Sequence, residues 1–503
     1  MAGREHYTRG GFEAMKEKLA KSAINRAVYE MVYKKRNPNY FVGSPEEGYR
    51  YSWFEEGFEG YRLPPVDRAH AGPRPITVDY DGNFRPEPVQ DVWAEIYEPW
   101  FTAIDEVFQG WDELPDERDF YQLADKLRSA RAPLGPLAPA FGAVDSSDLD
   151  VLHSELGIEG DNVLDPTPSA APRSAAIEVF RNTYAIPLQP VIAQQNWLID
   201  ILATQLDAEG KMWQRARRLV MEIGHQAKLA FDPESFDVAA LIDLLGGVNN
   251  AIGFIPDIRV QVATKVTGLV LDGVELFLKA IEDKPPPGEA KIEETLSGAT
   301  TQDVISRLRS ALAELNSQIS EEELAVFTMC DDAVGTTYEP SRVSPGAYHV
   351  TFNLPAPELL TETDSTDFRL PSLYPIDVDT RAIRRAAGVM PAIAGTLEQA
   401  AGNVEDLDPS PSMWLRPGFI GFTQQGPYDA WKSLLDRVPW LLQDTAGEVR
   451  AAGEHLVLAM NLLDNADAAS QEALDKHARD VADIAAADPR QPSTPGRPSG
   501  PQP

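Results

Sequence analysis

The sequence predicts a mainly α fold, a long antiparallel helical bundle with a small β or irregular insertion and a second, C-terminal helical hairpin. Three observations carry this. Apolar residues recur every three or four positions over long stretches, the signature of an amphipathic helix. A 503-residue chain with 43% hydrophobic content can bury a sizeable core. Strand-like alternation is confined to one short run, Ala347 to Leu354.

The elements follow in order. Residues 1–88 combine a basic N-terminal helix with an aromatic-rich segment. Phe12, Met15, Leu19, Ala23, Val28 and Val32 share one helical face over 12–36, the one basic stretch, which is expected to pack on the protein's own acidic body. Residues 37–88 are rich in Tyr, Trp, Phe, Pro and Gly without a clean period, with one hairpin expected at Asp81-Gly82. The main bundle spans 89–330. Val89, Trp93, Ile96, Trp100, Ile104, Val107 and Trp111 form one stripe, kinked by Pro99. Asp116 is an N-cap for a helix carrying Phe120, Leu123, Leu127 and Ala130. Residues 131–172 are expected to be a long irregular connection.

From Ile177 to Ala230 the three-four phase is unbroken across Gly210. A glycine inside a helix costs only about 1 kcal/mol against alanine, so one long helix is expected rather than a turn. Further helices are expected at 237–250, 258–283, 302–319 and 321–330, the last two started by capping boxes, Thr300 with Asp303 and Ser320 with Glu323. A β or irregular connector, 331–376, leads to the hairpin at 377–487. Its stripes are Ile383, Ala387, Met390, Ile393, Leu397, Ala400 and Val404, then Trp431, Leu434, Val438, Leu442, Val449, Leu456, Met460 and Leu463. Residues 488–503 have the composition of a disordered tail.

Charge and motif content narrow the function. With 45 basic against 78 acidic residues the formal charge is -33, which repels a phosphate backbone and disfavours nucleic acid as a partner. One cysteine, Cys330, excludes an internal disulfide and any zinc site of several thiolates. No phosphate loop, nucleophile elbow or i,i+4 histidine pair occurs. Asp148-Leu-Asp150 and Asp377-Val-Asp379 sit where aspartate is favoured as a cap or turn residue. The reading is therefore of a protein that is not an enzyme, with no cofactor, no bound metal and no transmembrane segment; the richest apolar run, Val260 to Ile281, is interrupted by Lys265, Asp272 and Glu275.

Several segments resemble a known family. Trp93-Ala-Glu-Ile-Tyr-Glu-Pro-Trp100, Trp111-Asp-Glu-Leu-Pro-Asp116, Phe120, Phe180-Arg-Asn-Thr-Tyr184 and Trp213-Gln-Arg-Ala-Arg217 are similar to the helical regions of long actinobacterial type VII (ESX) secretion-associated proteins. Those are antiparallel hairpins related to the WXG and PPE families. The 377–475 region, with Trp414 between its two stripes and Leu463-Asp-Asn-Ala-Asp467 near its end, looks like a second such unit. The resemblance implies a helical partner or self-association, contact with type VII secretion machinery, and a chain that is cytoplasmic before export without a signal peptide. It also marks Trp111, Tyr121, Asp125, Trp414, Leu463 and Asp467 as secretion-signal or interaction positions. The chain departs from the pattern in two places. It has no Trp-x-Gly, and Leu463 stands where the Tyr-x-x-x-Asp/Glu export signal has its tyrosine. The signal's spacing is met at Tyr121 with Asp125 and at Tyr51 with Glu55. An exported effector or toxin, and a component of a phage-like or contractile assembly, are the other readings.

Overall fold

The computed structural model describes residues 7–35, 40–52, 61–68, 75–80, 83–135, 147–159, 167–168, 180–231, 300–337 and 380–487. The helices expected at 237–250 and 258–283, the alternating run 347–354, the Asp377–Asp379 pair and the tail 488–503 lie outside them. Mainly helical is the outcome, and no described helix is long and apolar enough to cross a membrane. The chain divides into two compact units, each assembled from three stretches. The first comprises Met1–Val144, Val191–Asn353 and Gln399–Leu442, and the second Asp145–Pro190, Leu354–Glu398 and Gln443–Pro503. The sequence reading placed the domains one after another along the chain; the compact units interleave instead.

In the first unit, α1 (Arg9–Lys35) buries Phe12, Met15, Leu19, Ala23, Val28 and Val32, the expected stripe. Its cations find local carboxylates: Lys16 pairs with Glu13 and Asp105 at 2.8 and 3.3 Å, and Arg26 with Glu30 at 3.0 Å. The aromatic segment is a five-stranded antiparallel sheet in chain order, β1 (Tyr40–Ser44), β2 (Gly48–Ser52), β3 (Tyr61–Leu63), β4 (Pro75–Tyr80) and β5 (Asn83–Asp91). Tyr80 pairs with Asn83, so β4 and β5 flank Asp81-Gly82, which itself lies outside the described residues. Beyond the hairpin expected at Asp81-Gly82 the sequence did not show the sheet: β1 to β3 have three to five residues each, and the longer β5 carries Pro86 and Pro88.

The stripe from Val89 to Trp111 is corrected. Val89 belongs to β5, a π-helical turn covers Trp93–Tyr97, and α2 (Glu98–Val107) begins with Pro99 in its first turn, where proline costs no hydrogen bond. The π turn inserts one residue into the helical phase. The inner face is therefore Trp93, Tyr97, Phe101, Ile104 and Phe108, not Ile96 and Trp100. Trp111 is buried beyond the helix end, and its carbonyl accepts from the Tyr7 hydroxyl. The Tyr97 hydroxyl donates to Pro64 O at 2.7 Å and ties this turn to the segment after β3.

The helix α3 (Glu117–Ala130) starts as expected: Asp116 accepts from Arg118 N at 3.0 Å, and Phe120, Leu123, Leu127 and Ala130 are buried. Beyond it α5 (Ile186–Ala230) runs unbroken through Gly210. A Cβ on Gly210 would lie 2.7 Å from the Tyr121 ring, so this glycine is the seat of α3 on α5 and not a tolerated defect. Gly210→Ala gains helix propensity yet is expected to lower stability, because the ring must leave its seat. In a Tyr121→Ala background the same change should be neutral or stabilising by up to about 1 kcal/mol. Urea midpoints of the four proteins in the cycle check this; additive effects would contradict it.

The helices expected at 302–319 and 321–330 are one, α6 (Thr301–Thr337), which also takes in the first seven residues of the expected 331–376 connector. Thr300 and Asp303 do form a capping box: Asp303 accepts from Thr300 N at 2.7 Å, and Thr300 Oγ1 accepts from Asp303 N at 3.3 Å. Ser320 does not start a helix. Its hydroxyl donates back to Asn316 O at 2.9 Å, the usual resolution of a serine inside a helix. Glu30 of α1 adds a cap from outside, accepting from Thr301 N at 2.8 Å.

In the second unit the expected irregular stretch 131–172 contains α4 (Ser147–Glu155), with Asp148 and Asp150 in its first turn, where carboxylates complement the helix dipole. Two-residue strands β6 (Ile158–Glu159) and β7 (Thr167–Pro168) pair after it. A π-helical turn, Arg181–Ala185, precedes α5, and His153 donates to Ala185 O at 3.2 Å. The last two helices are α7 (Thr380–Glu405) and α8 (Tyr428–Ala487). Every apolar residue predicted for α7 is buried, as are those of α8 from Trp431 to Met460. Within this unit Arg384 pairs with Asp464, Arg450 with Glu398 at 2.7 Å, and Gly453 lies against Met390. Arg385 makes a bidentate pair with Glu155 of α4, 2.6 Å at both oxygens.

Candidate functional site: a latched, uncharged aromatic turn

The segment joining α7 to α8 is where the first unit concentrates its unusual chemistry. Between Pro409 and Tyr428 the only charged residue is Arg416, in a chain of net charge -33. Ser410 accepts from Ser412 N and opens a 3₁₀ turn, Pro411–Trp414, which drives the Trp414 ring inward. Trp414 is 1% exposed and meets Phe120 edge-on at 5.2 Å, Tyr428 at 4.9 Å and Trp431 at 5.4 Å. The Trp431 indole donates to Leu202 O at 3.2 Å.

Next to this aromatic cluster Arg416 is fully enclosed and paired with Glu323 of α6 through Nη2. Its Nη1 donates to Trp414 O and its Nε to Ile420 O, both at 3.1 Å, and its guanidinium lies 5.1 Å over the Trp213 ring. Glu323 also accepts from Phe422 N at 2.8 Å. Two turns earlier on α6, Asn316 donates to Phe419 O at 2.8 Å and accepts from Gly421 N at 2.7 Å. The loop thus wraps the ion pair. Gly421 and Gly426 have φ of +76° and +54°, and a Cβ on either would fall within 2.7 Å of the Glu323 or Arg416 head groups. Only glycine accepts both the left-handed backbone and that approach.

Glu209 of α5 completes the buried group, 3% exposed. Burial first, and the Glu323 charge second, push its carboxyl well above the ordinary range. Cys330 is buried beside it, its thiol donating to Gln205 at 3.1 Å and pushed up by burial to about 12, so it stands there as a neutral small side chain.

While its head groups are sealed, the turn's apolar side chains face outward. Phe419 is 55% exposed, and Leu415, Phe422 and Leu324 of α6 are exposed as well. Phe422 packs against Phe327 at 5.5 Å. Gly110 closes on Pro417 and Phe419 from the end of α2. The exposed carboxylates Glu113, Glu321 and Asp429 lie on the flanking segments. The result is an apolar tip without an exposed charge of its own, flanked along the sequence by exposed carboxylates, its backbone fixed from beneath.

Of the positions marked from sequence, Trp414 lies in this site's core. Tyr121 sits on Gly210, and Asp125 is a mostly exposed partner of Arg128 at 3.3 Å. The Tyr121–Asp125 pair lies inside α3, and Tyr121 is committed to packing. Trp111 is buried near the tip's Gly110 neighbour. Leu463 and Asp467 fall within α8, and their side chains are outside the described residues. Sequence reasoning missed Glu209, Asn316, Glu323 and Arg416. The signal was present: Leu206, Glu209 and Trp213 keep the three-four step, as do Ile319 and Glu323, so each carboxylate stands on an apolar stripe. Comparison with protein-family models, with curated proteins and with solved structures finds no match for this chain.

Proposed function

We propose that this protein is a non-enzymatic interaction protein in which α7 and α8 form a helical hairpin whose tip, Leu415 with Phe419 and Phe422, docks a partner. The observation that supports it is the latched, uncharged aromatic turn. An exposed phenylalanine on a flexible loop would gain little on binding after paying to order the loop; here the backbone is held by Asn316 and Glu323 in advance. Aromatic residues in such a setting are the usual anchors of interfaces.

The occupant we favour is a second protein that offers an apolar helix flanked by Lys or Arg. The carboxylates flanking the tip along the sequence complement such a partner, while two copies of a chain carrying -33 repel each other. The resemblance to type VII secretion-associated proteins agrees with a helix-packing role and gives the setting: association with that machinery or with one of its substrates. The effector and assembly-component readings gain no specific support from the tip.

Phe419→Ser with Phe422→Ser is expected to cost only about 1–2 kcal/mol, because Phe419 is mostly exposed and Phe422 is only partly covered, by Phe327. The same variant should lose the partner complex. Fractionation of the native host with and without its type VII secretion ATPase tests the setting. A distribution of the protein that ignores the ATPase would remove the secretion part of the proposal and leave the tip intact.

A further inference from the structure

Glu209, Glu323 and Arg416 are two acids and one base, all enclosed in one cluster. Glu323 has its countercharge and a backbone donor, from Arg416 and Phe422. Among the described residues Glu209 has no backbone donor: only the shared Arg416 charge and the Trp213 indole favour its ionised form, and its Oε2 is buried without a hydrogen-bond partner. The described groups facing Glu209 give no second cation. From α6 they are Glu322, Glu323 and the neutral Cys330; from its own helix, Trp213; and from the turn, Arg416, already engaged with Glu323. An ionised Glu209 would leave the sealed cluster with one net negative charge, which a low-dielectric interior strongly disfavours.

We propose that Glu209 carries a stored proton that neutralises the cluster, and that losing it at alkaline pH unseats the 415–427 turn. Burial also pushes the Glu323 carboxyl up, to about 7, and above that pH, where Glu323 is ionised, the Glu209 proton makes the sum of Glu209, Glu323 and Arg416 zero. Once it leaves, Glu209 and Glu323 compete for one guanidinium, and Glu323 is the only one of the two that also holds the turn. The sign follows from burial. The folded protein keeps a proton that the unfolded chain has already released, so the latch is firmest at acid pH and weakens as pH rises above the ordinary carboxyl range. The latch is a property of the turn and does not depend on what the tip binds.

Hydrogen–deuterium exchange of the 415–427 segment in the full chain tests this, corrected for the intrinsic pH dependence of exchange and compared at about pH 6 and about pH 9. Wild-type protection should fall between the two, by up to about tenfold per pH unit where Glu209 titrates. Glu209→Gln, which cannot ionise, should match wild type at the acid pH and keep that protection at the alkaline one. Glu209→Met, neutral and apolar, should do the same. Loss of protection in both variants in parallel with wild type would overturn the proposal. So would a wild-type protein whose protection does not change, or failure of both neutral variants to fold.

Discussion

Arg416→Ala is expected to destabilise the first unit by about 3–5 kcal/mol, the loss typical of removing one partner from a buried ion pair. The change orphans Glu323 and two backbone carbonyls, Trp414 O and Ile420 O, in one step. Without the guanidinium the Glu323 carboxyl rises further, because burial is then opposed only by the Phe422 N–H. In the variant a folded carboxyl above the unfolded one favours the folded state more as pH falls, so the deficit should shrink toward acid pH. Urea midpoints of wild type and variant across pH measure this. Arg416→Met with Glu323→Leu should recover a large part of the loss, since an apolar pair leaves no orphaned charge. A single variant less stable by under about 1 kcal/mol would mean that the pair does not hold the turn.

Trp414→Ala should cost at least as much, about 3–5 kcal/mol, through the cavity left among Phe120, Tyr428 and Trp431. Trp440→Ala is the contrast. That ring is half exposed and its visible support is the Arg437 guanidinium, 3.7 Å over its face, so about 0.5–1 kcal/mol is expected. Denaturation followed by near-ultraviolet circular dichroism compares the two. Equal losses would contradict the placing of Trp414 in a core and Trp440 on a surface. Trp431 and Met460 of the same helix are buried, whereas Trp440 lies against an arginine that also donates to Thr337 Oγ1 and O at the end of α6.

Legibility in the sequence followed the length of the periodic signal. The α5 helix was readable through Gly210 because its phase persists on both sides, and α7 and α8 because their apolar positions recur over many turns. At Trp93–Tyr97 the reading slipped by one residue, since a π turn leaves no mark in composition but shifts every later position. Ser320 with Glu323 satisfies the capping pattern, yet the local motif was overridden by Ile319 and Cys330 on one continuous buried face. Most of the five-stranded sheet was hidden, since β1 to β3 are short and β5 carries two prolines. The site was legible only in part. Trp414 was marked, but the group that latches its turn is drawn from 209, 316, 323 and 416, and no spacing rule connects positions so far apart.

The compact units also cut across the consecutive blocks read from the sequence. A segment closing at residue 330 looks self-sufficient by helical content. In the structure Gln399–Leu442 belongs to the same compact unit and supplies Trp414, Arg416 and Trp431 to it. A fragment 1–330 is thus expected to expose the apolar faces of α3, α5 and α6 that these residues cover.

The most direct test of the docking tip is site-specific photocrosslinking in the native host, with the crosslinker at position 419 and a control at the partly exposed Thr396 of α7. The prediction is one adduct at 419, absent at 396, to a second protein whose crosslinked segment is an apolar helix bordered by Lys or Arg. That pair, purified, should bind with an affinity that falls with added salt and is lost in Phe419→Ser with Phe422→Ser. An adduct to a second copy of this chain, a partner helix without basic flanks, or equal crosslinking from 396 and 419 would contradict it.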